Sequence, residues 1–270
     1  MCCGRGGASH HLALPLPVRW IEQPSGEHMV DWQDLIPATR GTLPGGAPLR
    51  RTDPSGEGRA KIAFLGVYPA ATKVRQMSVD GTRMNLPVEV EAESFAPGSA
   101  SGKEFEDHYL KALKIKRADV MVTDMLPYYL SNTTLSKGSK RSMADNVRAF
   151  EEAKKISTGI EARPKEAALV KLARKMPGNI ARLTEYFERV RPRLLFTLGT
   201  ESAAFVRGLE FAEADSDVLF YQDAEEIQFL GLSMKVVHMV HPHLFIKMNE
   251  KWTSRHANWL AQTGRAVVKA

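Results

Sequence analysis

Short apolar runs that end at glycine or proline recur along the chain, and each is typical of a buried strand. Residues 62–65 form the first run, which is too short for a helix and ends at Gly66. Comparable runs lie within residues 118–125, 193–199 and 233–240. Open sheets hold their ligands at the carboxyl ends of their strands, so the residues after these runs are candidates for a functional site.

Apolar residues also recur at helical spacing between and after these runs. The pattern predicts helices over residues 103–116, 145–155, 164–175, 179–190, 200–207 and 252–262. Asn179 is expected to be the N-cap of the fourth of them. The order of strands and helices indicates an α/β fold with a mainly parallel central sheet.

Two segments do not follow either pattern. Residues 1–58 are rich in Gly and Pro, which predicts an N-terminal arm lying over a domain formed by residues 59–270. Residues 72–102 are polar and long for a loop. We favour a binding loop over a flexible insertion, with a short hairpin around Asp80 and Gly81.

The composition excludes some classes of protein but does not identify a function. A chain of 270 residues with 43% hydrophobic residues can bury a sizeable core. Its net charge of +6 suits a polyanionic partner or an ordinary basic protein equally well. Cys2 and Cys3, the only cysteines, cannot supply a disulfide framework or an iron–sulfur cluster. Since no apolar run reaches the roughly 18 residues of a membrane span, we expect a cytoplasmic protein without a membrane partner.

Four segments carry a resemblance to a known family: LGVYPAA (65–71), VTDMLPY (122–128), RPRLLFTLGTESAAF (191–205) and VHMVHPH (237–243). In this order they resemble the uracil-DNA glycosylase superfamily. Its members carry a first motif of the GQDPYH or GEAPG type, an Asn at a second strand end, a strand and helix with LG-x-x-A, and a late HPS motif. The resemblance covers residues 61–244. It implies a three-layer α/β/α domain that binds double-stranded DNA without a cofactor, and we expect a monomer.

The resemblance implies a catalytic role for His241, which stands where the family's HPS histidine stabilises negative charge at O2 of the departing base. A fixed donor in a dry pocket is worth a few kcal/mol against a forming anion. A core histidine that caps a strand end is the alternative. His238, His241 and His243 could also suggest a metal site, but no acidic or cysteine partner is near in sequence, so we expect no metal.

Two departures from the family affect catalysis and base reading. Tyr68 stands where the family carries its water-positioning Asp or Asn, and Asp80 in the polar segment is our candidate to replace it. Asp124 stands where uracil excisers carry the Asn that reads the pyrimidine. A carboxylate only accepts hydrogen bonds, so it suits the N4 amino group of cytosine and repels O4 of uracil. Burial would raise the pKa of Asp124, which could then share a proton with cytosine N3; the alternative role of Asp124 is a cap at the strand end.

A third departure concerns the wall beside C5 of the base. Gly66 allows the backbone to approach closely, and Tyr68 and Pro69 complete the first motif. The GQDPYH type then places a Tyr that excludes even a methyl group at C5. Here Ala70 and Ala71 follow instead, which leaves room for a large substituent. An acidic reader beside an open wall indicates a cytosine enlarged at C5.

The sequence therefore predicts a DNA glycosylase that flips out and excises a modified cytosine, leaving an abasic site. Cutting plain cytosine would destroy the host, so we expect a foreign substrate such as alpha-glucosylated hydroxymethylcytosine of phage DNA. Phosphates would be held by Lys137, Lys140, Arg141 and His243. The alternatives are a repair glycosylase for uracil or deaminated bases, and a DNA-binding module of the same fold that has lost catalysis, as Tyr68 suggests.

Overall fold

A computed structural model of the protein describes residues 32–71, 73–89, 94–135, 138–247 and 249–269. Strands in these ranges are β1 (Thr39–Thr42), β2 (Pro48–Arg50), β3 (Ile62–Gly66), β4 (Lys73–Val79), β5 (Thr82–Glu89), β6 (Met121–Asp124), β7 (Leu130–Ser131), β8 (Glu161–Ala162), β9 (Leu194–Leu198), β10 (Glu225–Phe229) and β11 (Leu232–Met239). None of the helices in the described ranges combines the length and apolar character that crossing a bilayer requires.

The helices lie mainly between and after the sheet strands. The α-helices are α1 (Trp32–Leu35), α2 (Ala100–Glu104), α3 (Met143–Lys154), α4 (Glu166–Lys175), α5 (Asn179–Val190), α6 (Thr200–Arg207), α7 (Ser216–Leu219), α8 (His243–Ile246), α9 (Glu250–Trp259) and α10 (Arg265–Lys269). Phe105–Lys111 and Leu260–Gly264 are π-helical, and Arg117–Asp119 and Phe211–Glu213 are 3-10 turns. The predicted helices are present, although the one predicted over residues 103–116 is an α-helix continued by a π-helix.

The central sheet has five strands in the order β10, β11, β9, β3, β6. The four strands from β11 to β6 run parallel, and β10 pairs antiparallel with β11 at the edge. Gly66 lies opposite Asp124, and Leu65 lies opposite Thr197. Because the parallel strands end at the same edge, the segments that follow β3, β6, β9 and β11 come together there. These are the four strands that the sequence predicts.

Side chains of the strands alternate between two hydrophobic clusters, one on each face of the sheet. Ala63 and Leu65 point into a cluster that α4, α5 and α6 complete. Ile62 and Phe64 point into a second cluster, which contains Phe105 and the tryptophans of α9. A strand buried on both faces needs apolar residues at every position, which explains the continuous apolar runs in the sequence.

The polar segment after the first motif forms a hairpin of β4 and β5. Asp80 and Gly81 make the turn with positive φ angles of 48° and 76°, as expected for an Asp-Gly hairpin turn. The predicted hairpin is thus present but longer than expected, with strands of 7 and 8 residues. It packs with Tyr129 and with Val147 and Phe150 of α3 in a third hydrophobic cluster.

The described part of the N-terminal arm packs on the domain. Ile36 and Leu49 are buried, whereas Leu35 is exposed. Ser55 exchanges two backbone hydrogen bonds of 2.9 Å with Val122, in an antiparallel bridge beside β6. The end of the arm therefore extends the sheet at the edge that carries Asp124, and residues 1–31 of the predicted arm lie outside the described residues.

Candidate functional site

Gly66 allows the ends of two parallel strands to approach closely, and Gly199 lies beside the segment that carries His241. A Cβ atom at Gly66 would lie 2.2 Å from Oδ1 of Asp124 and 2.8 Å from Cε2 of Phe95, so any side chain here would collide. At Gly199, which has a φ of 113°, a Cβ atom would lie 3.6 Å from Cβ of His241. We call the group formed by Gly66, Asp124, Gly199, His241 and Phe95 the strand-end site.

Asp124 is the buried acid of the strand-end site. Its side chain is 3% exposed, and its Oδ2 accepts a hydrogen bond of 2.5 Å from Oγ of Ser94, which is also buried. Burial raises the pKa of Asp124 to about 7, although the Ser94 hydrogen bond and the charge of Arg182 act in the opposite direction. Protonated and ionised Asp124 are therefore both present near neutral pH.

A fully buried arginine holds the end of β6 in place. Nη2 of Arg182 donates to the main-chain oxygen of Asp124 at 3.0 Å, and its Nε donates to Oδ1 of Asn179 at 3.0 Å. Asn179 in turn donates to the carbonyl of Met125 at 2.8 Å. The prediction that Asn179 is an N-cap was wrong: Gly178, with a φ of 71°, takes that position, and the Asn179 side chain clamps the strand end instead.

His241 is half-buried just beyond β11. The backbone N–H of His243 donates to its Nδ1 at 3.2 Å, so the neutral ring carries its proton on Nε2. Burial, helped by the positive charges of His243 and Arg163, lowers the pKa of His241 to about 3. At physiological pH the side chain is therefore a neutral hydrogen-bond donor through Nε2–H.

Phe95 connects the acid with the histidine. Its ring contacts the Gly66 position described above, and its centroid lies 5.4 Å from the His241 ring. It also stacks on Phe105 at 5.0 Å. Its φ of 51° is unusual for an aromatic residue and indicates that the surroundings force the backbone into this shape. Neither Ser94 nor Phe95 was predicted from the sequence.

A second acidic residue, Glu201, lies beside the strand-end site and was also missed. It belongs to the first turn of α6, and its side chain is 13% exposed. Nη2 of Arg163 donates to its Oε1 at 3.3 Å, while the Arg163 guanidinium lies 5.7 Å from the ring centre of Tyr68. Burial raises the pKa of Glu201, and Arg163 opposes that shift. Tyr68 itself is half-buried, and burial likewise raises its pKa.

The remaining residues of the first motif divide between the strand-end site and the hairpin. Pro69 is buried and Ala70 half-buried. Ala71 packs against the third cluster beneath the hairpin, so its methyl group contributes to that packing. Asp80 is exposed at the far end of β4 from the motif; a strand of 7 residues, at ~3.3 Å per residue, spans roughly 23 Å. Within the described residues, no hydrogen bond or ion pair joins Asp80 to Asp124 or His241.

The predicted phosphate-binding residues lie on exposed segments. Lys140 and Arg141 are exposed just before Ser142, the N-cap of α3, and His243 is exposed at the start of α8. Lys137 lies outside the described residues. Within the described part of the chain, no three His, Cys, Asp or Glu side chains are grouped so that they could hold a metal ion.

Comparisons with known proteins add no family or function to this geometry. No protein-family model matches the chain, and no curated protein matches its sequence. What the strand-end site can do chemically follows from its side chains: a buried acid that can give or share a proton, a neutral donor, and an aromatic face between them.

Proposed function

We propose that this protein is a DNA glycosylase with the three-layer α/β/α architecture of the uracil-DNA glycosylase superfamily, and that it excises a C5-modified cytosine. One observation carries the proposal. A buried acid with a pKa near 7, Asp124, and a neutral histidine, His241, meet around Phe95 at the carboxyl edge of the sheet. Open α/β sheets bind ligands at this edge.

Asp124 has the chemistry to read cytosine. The base presents an amino group at N4, which a carboxyl oxygen accepts, and a basic nitrogen at N3, which takes the proton of the acid. Because the pKa of Asp124 lies near 7, the proton is available at neutral pH. With cytosine, the proton can lie on either Asp124 or N3 of the base. With uracil, only the neutral acid fits, because an ionised carboxylate would repel O4. Cytosine is thus the better match.

His241 has the chemistry to help the base leave. Breaking the N-glycosidic bond leaves its electron pair on the base, and part of the negative charge develops at O2. Nε2–H of His241 is a fixed donor in a half-buried position, which is the kind of group that stabilises such an anion. Phe95 is buried and packs against the His241 ring, with 5.4 Å between the ring centres, and this contact restricts how the imidazole can turn.

The C5 modification is inferred from the small side chains after Pro69. Ala70 is half-buried and presents only a methyl group, which leaves space beside C5. The hairpin of β4 and β5 follows directly, and its polar strands carry exposed side chains, such as Arg75 and Gln76, suited to contacting a sugar. A modified cytosine foreign to the host, such as alpha-glucosylated hydroxymethylcytosine of phage DNA, fits this combination, and anti-phage defence follows as the role.

The second candidate function is the repair of uracil or deaminated bases. The raised pKa of Asp124 favours it to a degree, because a neutral carboxylic acid can donate to O4 and accept from N3–H. The two functions differ in substrate and in little else.

The substrate assay separates the candidates. The protein is incubated with four matched DNAs that contain glucosylated hydroxymethylcytosine, hydroxymethylcytosine, plain cytosine or uracil, and abasic sites are measured by alkaline strand cleavage. We expect cleavage of the glucosylated DNA and none of plain cytosine. Cleavage of uracil DNA alone would replace the proposal with repair. Binding without abasic sites on any DNA would indicate a module without catalysis.

A further inference from the structure

The proposed hydrolysis lacks a group that activates water. Tyr68 stands where the first motif would carry an acid or amide, Asp80 lies at the hairpin tip, and Asp124 is engaged with the base. A water molecule that attacks C1′ of the sugar must lose a proton to a nearby base. The following inference rests on the proposed function and concerns this missing group.

Glu201 lies on the same side of Gly199 as the catalytic histidine. A Cβ atom at Gly199 would lie 3.5 Å from Oε2 of Glu201 and 3.6 Å from Cβ of His241, so the two side chains border one point in space. The same point is 3.7 Å from Cγ2 of Val67, in the first motif. Glu201 therefore borders the strand-end site from the first turn of α6, although the resemblance assigns it no role.

Among the residues that the structure describes, one cation, Arg163, lies close to Glu201. Arg163, which follows β8, donates to its Oε1 at 3.3 Å and to Oε1 of Glu166 at 3.2 Å. The backbone N–H of Glu201 also donates to its own carboxylate, and the negative charge of Glu166 opposes ionisation of Glu201. Two further titratable groups are near: Tyr68 after β3, whose ring borders Arg163, and His241 after β11, which is neutral. The ion pair occupies Oε1, so Oε2 is the oxygen that borders the Gly199 position and the one that can accept a proton from water.

We infer that Glu201 is the catalytic residue that takes the proton of the attacking water. The C1′–N1 bond breaks with its electron pair going to the base, whose O2 bonds to His241 Nε2–H and whose N3 takes the proton from Asp124. The water oxygen bonds to C1′, and its second proton passes to the Glu201 carboxylate. The products are the free base and an abasic sugar with a hydroxyl at C1′, and solvent then restores the proton to Asp124 and removes it from Glu201.

The main test is the Glu201→Gln variant, assayed on glucosylated phage DNA under single-turnover conditions. Loss of a general base costs typically about 10²–10⁴-fold in rate, so we expect a fall in that range with unchanged binding of the same DNA. Glu166→Gln is the matched control, because it removes the other acidic partner of Arg163 from a side chain that is half exposed. It should keep the wild-type rate.

Two measurements distinguish a base from a structural partner of Arg163. The rising limb of the rate against pH should disappear in Glu201→Gln. In Arg163→Gln, the limb should move to higher pH, because loss of the cation raises the pKa of Glu201. Added formate should partly restore the rate of Glu201→Ala, which a purely structural role would not allow.

The possible failures can be told apart. An active wild type with a Glu201→Gln variant of equal rate would overturn this inference and leave the glycosylase intact. A rate loss accompanied by weaker DNA binding, a lower melting temperature and no rescue by formate would make Glu201 structural. Absence of abasic sites with the wild-type protein would overturn the proposed function itself.

Discussion

Two groups of buried ionisable residues lie on the same sheet, and they differ in how their charges are partnered. In the strand-end site, the side-chain hydrogen-bond partner of Asp124 among the described residues is a hydroxyl, that of Ser94, and the pKa of Asp124 is raised to about 7. In the second group, which we call the paired cluster, Glu225 contacts Arg207 and the ring of His238, and its pKa is lowered to about 2. Partners decide the direction of the shift as much as burial does.

The histidines of the two groups show the same contrast. His238 is 3% exposed, and both of its ring nitrogens are engaged, Nδ1 with Thr197 at 2.7 Å and Nε2 with Glu225 at 3.2 Å. His241 accepts one backbone hydrogen bond at Nδ1, and within the described residues no hydrogen bond engages its Nε2. His238, with both ring nitrogens hydrogen-bonded, stabilises the sheet. His241 has an N–H donor that can bind a ligand. Proximity in sequence, three positions apart, therefore says nothing about role.

Alanine at each histidine should separate catalysis from stability. We expect His241→Ala to lower the single-turnover excision rate about 10²–10³-fold, because it removes one donor to the developing anion. His238→Ala should lower the free energy of unfolding by about 1–3 kcal/mol, because it leaves the buried Thr197 hydroxyl without its partner and removes one of the two partners of Glu225, while folded molecules keep their rate. Rates on glucosylated DNA and thermal melts of both variants measure this. A fully folded His238→Ala variant with a lowered excision rate would contradict the different roles that we assign to the two histidines.

The two acids should affect stability with opposite dependence on pH. The folded-state pKa of Asp124, about 7, exceeds its ordinary 3.8, so the folded protein holds a proton that the unfolded chain has lost. Stability therefore falls as pH rises between these values, by roughly 4 kcal/mol at most. Asp124→Asn should raise the melting temperature above pH 7, with no difference from the wild type below pH 4.

Glu225 provides the matched comparison. Its folded-state pKa of about 2 lies below its ordinary 4.5, so its contribution is present above pH 4.5 and is lost as pH falls toward 2. Glu225→Gln should lower the melting temperature at neutral pH and approach the wild type in strong acid. The effect should be smaller than that of Asp124→Asn, because the Glu225 side chain is 39% exposed and solvent screens it.

The Asp124 prediction has a clear opposite outcome. If Asp124→Asn melts at a lower temperature than the wild type at pH 8, the Asp124 carboxylate is well partnered in the folded protein.

The residues of the strand-end site that could be predicted from the sequence are those at the end of a strand or just after it. Asp124 and His241 could be found because fully buried strands are continuous apolar runs whose ends are visible. β10 was missed because its burial alternates and it begins with two glutamates. Asp80 attracted attention as an acid in a polar segment, although Asp-Gly already explains a hairpin turn.

The missed residues depend on contacts that sequence spacing does not encode. Ser94 is bonded to Asp124 although the two residues are 30 positions apart in the sequence. The next residue, Phe95, has a positive φ angle, which sequence spacing does not predict. Glu201 could be assigned to a helix start, but its approach to His241 depends on Gly199 with a φ of 113°. Such a conformation follows from tertiary packing, so only the folded chain reveals these partners.

The smallest expected effect concerns the hydrogen bond from Ser94 to Asp124. Ser94 donates to Oδ2 of Asp124 and thereby lowers a pKa that burial has raised. Ser94→Ala removes a bond to a charged group, worth about 1.5–3 kcal/mol, which corresponds to a rise in the Asp124 pKa of about one to two units. In the proposed function the protonated acid reads cytosine, so the falling limb of the excision rate is expected to move to higher pH by that amount. Rates on glucosylated DNA between pH 6 and pH 9 measure the shift, and Ser99→Ala, at the N-cap of α2, is the matched serine control. A limb that stays in place, or moves to lower pH, would mean that another group sets the alkaline side of the profile, and Asp124 would lose its role as the proton donor to the base.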